Sequence, residues 1–167
     1  MAKNTRPVIP VPNTPLGNFL DLASLLLIAL LTALTIWGWL TLPDIVPTHF
    51  NIWGQPDRYG SKIVLFIWPA VAILFYWLFS FLSRYPRIYN YPVPITPENA
   101  PRQYLLAYLL VEALKLELVL TFFLLQWSFI QAMRTHFAGL MLLITPATII
   151  VIFTTLFMYL RLARRAR

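Results

Sequence analysis

An all-α, polytopic membrane fold with four transmembrane helices and an ordered outward loop between helices 1 and 2 is predicted by three observations on this 167-residue chain. Its composition is 59% hydrophobic, 16% aromatic and only 11% charged, which is too little polar surface to cover a soluble globule. Four apolar runs are each long enough for a span, which takes about twenty residues across a hydrocarbon core roughly 30 Å thick. Between the first two runs, residues Pro43 to Lys62 (PDIVPTHFNIWGQPDRYGSK) form the one stretch where polar, aromatic, glycine and proline residues are dense. A single membrane domain, 19–161, is expected between a proline-rich tail (1–18) and a short basic tail (162–167).

The elements follow in chain order. Arg6 to Pro15 holds four prolines in ten residues with no apolar periodicity, the composition of an extended, mobile tail. Span 1, residues 20–42, is uncharged from Leu22 onward, directly after Asp21. It exceeds a signal-peptide core and lacks a small-x-small cleavage site after it, so it reads as an uncleaved anchor. Span 2, residues 62–83, is uncharged from Ile63 to Ser83 and contains Pro69. The loop after it is again proline-rich. Thr96, Pro97 and Glu98 read as a helix start, with a hydroxyl cap, a first-turn proline and an acid favoured by the helix dipole. Tyr85, Tyr89, Tyr91 and Tyr104 suit a membrane interface, where an apolar ring and a wet hydroxyl are both satisfied.

Span 3, residues 103–132, is interrupted by Glu112, Lys115 and Glu117. Glu112 and Lys115 share a helix face and can pair, and Glu117 points elsewhere. Ionisable residues in a span suggest an ion or proton relay. The competing reading is a long helix whose first turns stand among head groups, with Lys115 snorkelling, and it is favoured because interfacial charges are cheaply accommodated. Span 4, residues 137–160, is uncharged and carries Pro146, which removes one backbone bond and should kink it.

Four spans put the N terminus, the second loop and the C terminus on one side. That side holds nine Lys and Arg residues (Lys3, Arg6, Arg84, Arg87, Arg102, Arg161, Arg164, Arg165, Arg167), against three (Arg58, Lys62, Arg134) on the other. The bias places both termini in the cytoplasm of a multi-pass inner-membrane protein and turns the 43–62 loop outward. The net charge of +7 does not indicate nucleic-acid binding, since four of thirteen basic residues fall in the last seven positions after an apolar run. Anionic lipid head groups are their expected partners. Cysteine is absent, which removes disulfides, thiol catalysis and cysteine metal sites.

Within the loop, Pro43 and Pro47 hold the chain extended, and Gln55 to Arg58 reads as a tight turn with Pro56 at its second position. Ser61 is a reasonable cap for span 2. Lys62 sits badly in a first helical turn, where a cation opposes the dipole by ~0.3–1 kcal/mol, so Asp57, Asp44 or a lipid phosphate is expected to compensate it. His49 and His136 share the outward side, and with Asp57 they are weak candidates for a metal site. No HExxH-type ladder supports that site. Ser61 lacks a nucleophile-elbow context, and no phosphate-cradling glycine loop occurs. No cofactor and no enzymatic activity are therefore expected. Phe50, Trp53 and Tyr59 either anchor the loop in the membrane surface, the default, or form a contact surface for an arriving peptide or protein.

The order Pro43, Pro47, His49-Phe50-Asn51, Gly54, Pro56-Asp57, Tyr59-Gly60-Ser61-Lys62 resembles the signature of a bacterial membrane family, domain of unknown function 1648. The string Tyr89-Asn90-Tyr91-Pro92-Val93 with Ile95-Thr96 and Glu98-Asn99 is similar to members of that group. The resemblance implies a relation to the N-terminal part of SdpI-like proteins, associated with immunity to a secreted peptide toxin and with relaying its presence. The Asn-x-x-Phe-Gly-Ile-Arg-Thr type of motif expected of their second half is missing, so immunity is an analogy. His49, Asn51, Gly54, Asp57 and Lys62 carry over as motif residues.

The expectation is a non-enzymatic membrane protein that senses or binds an external peptide or lipid through loop 43–62. A cytoplasmic or membrane protein partner could receive the signal, and a homo-oligomer is a further partner expectation. The rival readings are an ion- or proton-coupled transporter using Glu112, Lys115 and Glu117, and a metal-dependent membrane enzyme using His49 and His136.

Overall fold

The computed structural model describes residues 6–10 and 14–166. Four helices, α1 (Pro15–Thr41), α2 (Ile67–Leu82), α3 (Ala100–Thr135) and α4 (Gly139–Arg165), are joined by a β-hairpin of β1 (Ile45–Phe50) and β2 (Pro56–Ser61) and by short 3₁₀ turns at Lys62–Phe66 and Pro86–Ile88. Three segments, Pro15–Thr41, Lys62–Leu82 and Gly139–Arg165, are long and apolar enough to cross a membrane. The hairpin corrects the all-α expectation. Pro47, read as holding the chain extended, pairs with Tyr59, and Pro56, read as a turn residue, pairs with Phe50. A two-stranded ribbon consists only of edges, where a strand proline need not leave a ladder bond broken.

Helix α3 is the hub. Its 36 residues reach about 54 Å at 1.5 Å per residue, and α1, α2 and α4 all pack on it. By contrast only 6% of the apolar window of α4 is buried inside the protein.

Helix α1 starts earlier than the apolar run implied. Thr14 caps it by accepting from the Gly17 amide at 3.0 Å, and Pro15 occupies the first turn. Asp21 therefore lies inside the helix. The buried positions Gly17, Ser24, Leu31 and Gly38 recur every seven residues, with Thr35 beside them, which makes one stripe along the helix. A Cβ at Gly17 would overlap the Tyr108 ring, and one at Gly38 would lie 2.8 Å from Ile130 Cδ1. Small residues thus let α1 and α3 approach closely, as helices in lipid do when packing rather than water expulsion holds them. The Ser24 and Thr35 hydroxyls donate to the Leu20 and Leu31 carbonyls at 2.8 Å, so neither is stranded.

Pro69 falls in the first turn of α2. It has no amide to give the carbonyl four residues back, which belongs to Leu65. Gln126 of α3, fully buried, donates its Nε2 to that carbonyl at 3.1 Å and to Thr35 Oγ1 at 3.1 Å. One side chain therefore repairs the proline gap and joins α1, α2 and α3. A comparable device holds the far end, where Gln103 Nε2 donates to the Ala163 and Ala166 carbonyls closing α4.

At that far end the described part of the N-terminal segment is docked, contrary to the mobile tail expected. Arg6 donates to the Arg87 and Tyr89 carbonyls at 3.0 and 2.6 Å and lies over the Tyr91 ring. Ile9 packs on Ile95, Ala100 and Tyr104. Tyr104 is buried and donates to the Pro7 carbonyl at 3.1 Å, so it is a core residue rather than an interfacial one. Tyr91 donates to Pro86, and burial pushes its hydroxyl up from the ordinary tyrosine value. Helix α3 begins at Ala100, later than the Thr96 start expected; Thr96 and Asn99 instead form a reciprocal turn in which each side chain accepts from the other's amide.

Candidate functional site

The hairpin is shaped by two bulges. Pairing runs Ile45 to Ser61, Val46 to Gly60 and Pro47 to Tyr59, then shifts to His49 with Arg58 and Phe50 with Pro56. Thr48 and Asp57 are the residues left without a partner, and bulges of this kind re-aim side chains. Here they bring His49 Nδ1 and Asp57 Oδ1 to 2.6 Å, with both side chains about half exposed. Gly60 accommodates the Thr48 bulge, since a Cβ there would sit 3.1 Å from Thr48 Cγ2.

The turn lies at Asn51–Gln55, not at Gln55–Arg58 as the proline suggested. Asn51 accepts from the Trp53 and Gln55 amides through Oδ1 at 2.9 and 3.0 Å, and its own amide donates to the Gln55 carbonyl at 2.8 Å. Gly54 takes φ +74°, which a residue without Cβ adopts freely. Its carbonyl accepts from the Ala138 amide at 2.8 Å. The hairpin tip is thereby tied to the three-residue connection between α3 and α4.

Lys62 finds its compensation at the end of α1. Nζ donates to the Trp39 and Leu42 carbonyls at 3.0 and 3.2 Å, lies over the Trp39 ring, and pairs with Asp44 at 3.1 Å. A cation wrong for the helix it begins is right for the C-terminus of the helix before it. Of the partners expected, Asp44 is used, whereas Asp57 is engaged by His49.

Below the hairpin a cavity of about 350 Å³ is walled by Thr48, His49 and Asn51 on the strand side and by Trp68, Phe129 and Met141 on α2, α3 and α4. Phe50 turns inward against Phe129, with ring centres 6.3 Å apart. Ile52, Trp53 and Tyr59 remain exposed. Of the five ligand residues expected, His49 and Asn51 line this cavity and Asp57 orients His49, while Gly54 and Lys62 fix the hairpin to the helices. His136 caps α3 in a left-handed conformation (φ 55°) and does not line the cavity. Among the described residues no three His, Cys, Asp or Glu side chains converge as a metal site.

A second polar constellation sits where the early turns of α1 and the last turns of α2 meet the middle of α3. Lys115 Nζ lies 2.6 Å from Asp21 Oδ1 and 2.7 Å from Glu112 Oε2, donates to Ser80 Oγ at 3.2 Å, and stands over the Tyr76 ring. Tyr76 donates to the same Asp21 oxygen at 3.0 Å. The Glu112 contact is ionic without hydrogen-bond alignment, as Oε2 lacks a hydrogen-bond partner. The Lys115 side chain is 1% exposed and that of Glu112 3%, so Lys115 does not snorkel. Asp21 supplies the partner that makes burial tolerable. Glu117 faces α4, as the different side expected of it requires, and accepts from Thr155 at 2.5 Å.

Sequence reasoning missed Gln126, Gln103 and Asp21. A readable signal existed for Gln126, namely an amide within an apolar run of a chain whose neighbouring span contains Pro69.

Comparison with known proteins bears out the resemblance over part of the chain. Residues 26–73 match the family described as Domain of unknown function (DUF1648), a stretch that contains the whole hairpin and both of its helical roots. The second-loop string from Tyr89 lies outside that match. An "Uncharacterized protein" of Archaeoglobus fulgidus is 38% identical over 93 residues, covering 51% of this chain and 51% of that protein. The chain thus spans about half the length of this relative. No solved structure matches.

Proposed function

Taking residues 26–73 as a DUF1648 segment, we propose that this chain is a non-enzymatic, four-span protein of the cytoplasmic membrane, with both termini inside, whose outward hairpin binds an external peptide or lipid. The observation that carries this reading is the hairpin's triple attachment. Lys62 holds the end of α1, Gly54 holds the α3–α4 connection, and the Leu65 carbonyl just after β2 is held by Gln126 of α3. A ligand that shifts the hairpin strains all three attachments together. Such differential contact is what a binding event needs to bias one helix arrangement over another. At the opposite end, the Arg6 clamp and the Gln103 cap lie where an altered packing would reach a cytoplasmic or membrane partner. The resemblance of the loop motif to SdpI-like proteins supports toxin immunity or its relay as the biological setting, by analogy.

The test is a challenge with secreted antimicrobial peptides on cells expressing the chain. A His49→Ala, Asp57→Asn double variant inserted at the parental level should lose the protection or response that the parent gives. Variants indistinguishable from the parent in every challenge would sink the reading.

Ion- or proton-coupled transport is the second reading, motivated by the Asp21–Lys115–Glu112 network. Unchanged liposome uptake after Glu112→Gln and Glu117→Gln would remove it.

A further inference from the structure

We propose that the cavity beneath the hairpin seats the hydrocarbon chain of a lipid from the outward leaflet, an inference that rests on the hairpin-binding reading and names its ligand class. Three observations carry it. First, polarity is graded along the cavity. Thr48, His49 and Asn51 lie at the hairpin side, and Val64, Trp68, Phe129 and Met141 at the helix side, so one end suits a head group and the other an alkyl chain.

Second, exposed apolar side chains line the cavity. Ile67 on α2 and Leu142 on α4 both line it while remaining 52% and 49% exposed. Both stand near the hairpin ends of segments apolar enough to span, and α3 lies between those two helices as their common packing partner. With those segments spanning a bilayer, the medium beside Ile67 and Leu142 is lipid tails, which enter without crossing water.

Third, the wall presents one titratable side chain, His49, and it is already held by Asp57. A charged peptide would find no countercharge there, and burying its charges unpaired is costly. A volume of about 350 Å³ falls in the range of small-ligand pockets, and Met141 adds a wall that adapts to chains of different shape. His49 has Nδ1 committed to Asp57, which leaves Nε2 as its free polar atom for a head group.

The full chain is reconstituted in nanodiscs containing a trace of phospholipid with a photoactivatable diazirine at the end of one acyl chain, and cross-linked residues are mapped by mass spectrometry. The expected result is enrichment at Phe129 and Met141 over Leu26 and Leu30, which are exposed on α1 and report background lipid, with loss of that enrichment in Val64→Trp. Should Val64→Trp fail to fold, Met141→Trp read at Phe129 serves, and the comparison within the parent is decisive by itself. Labelling at Phe129 and Met141 no higher than at Leu26 and Leu30, or undiminished when the cavity is filled, overturns the proposal. If labelling fails while the filled variant still abolishes the peptide response, the hairpin binds another ligand class. If the filled variant also responds like the parent, the underlying reading falls with it.

Discussion

The Gly54 carbonyl accepts a hydrogen bond from the Ala138 amide at 2.8 Å, which ties the tip of the hairpin to the connection between α3 and α4. Gly54→Ala would place a Cβ on a backbone with φ +74° and 3.3 Å from the Phe137 ring. The conformational term is about 1–2 kcal/mol. We expect that loss of stability in detergent, with faster hydrogen exchange at 51–55 and 136–139 together. Faster exchange in the hairpin alone would show that the two segments are not coupled.

Lys115 neutralises two carboxylates at once. Lys115→Met leaves Asp21 and Glu112 without their cation, and breaking a buried pair by removing one partner costs ~3–5 kcal/mol. Adding Glu112→Gln should restore part of the loss. Reversible unfolding of the single and double variants measures this, and an additive double variant would contradict the network.

Gln126 and Pro69 form a testable pair. Gln126→Leu strands the Leu65 carbonyl, which should cost ~1–3 kcal/mol. Pro69→Ala restores an amide four residues after Leu65 and should rescue much of that loss. A coupling energy above ~0.5 kcal/mol in the double-mutant cycle is expected for groups sharing one partner. Independent effects would mean that the glutamine does not answer the proline.

Lys62 should matter through the α1 carbonyls more than through its salt bridge. The Asp44 side chain is 94% exposed, so Asp44→Asn should change stability by less than ~1 kcal/mol. Lys62→Ala removes a cation from a helix C-terminus and should cost up to ~2 kcal/mol. Equal losses in the two variants would reverse that ranking.

These relationships separate what local sequence carries from what it does not. The helix order, the Glu112–Lys115 pair and the anomaly of Lys62 are local signals, readable from runs and spacings. The hairpin was obscured because Pro47 read only as extended chain and Pro56 as the second position of a turn at Gln55–Arg58, which placed the turn inside what is β2 and away from Asn51 and Gly54. Asp21 was unreadable as the partner of Lys115 because the two are 94 residues apart. The His49–Asp57 contact depends on two bulges, and no alternation pattern in six-residue strands announces a bulge.

The proposed binding role requires the hairpin to face outward. In this cysteine-free chain, Trp53→Cys at the exposed turn and Glu98→Cys in the second loop can each be labelled singly with a membrane-impermeant maleimide. Labelling of position 53 in intact cells, with position 98 labelled only after permeabilisation, is the predicted result. Protection of position 53 until the cells are opened would contradict the orientation and the binding role built on it.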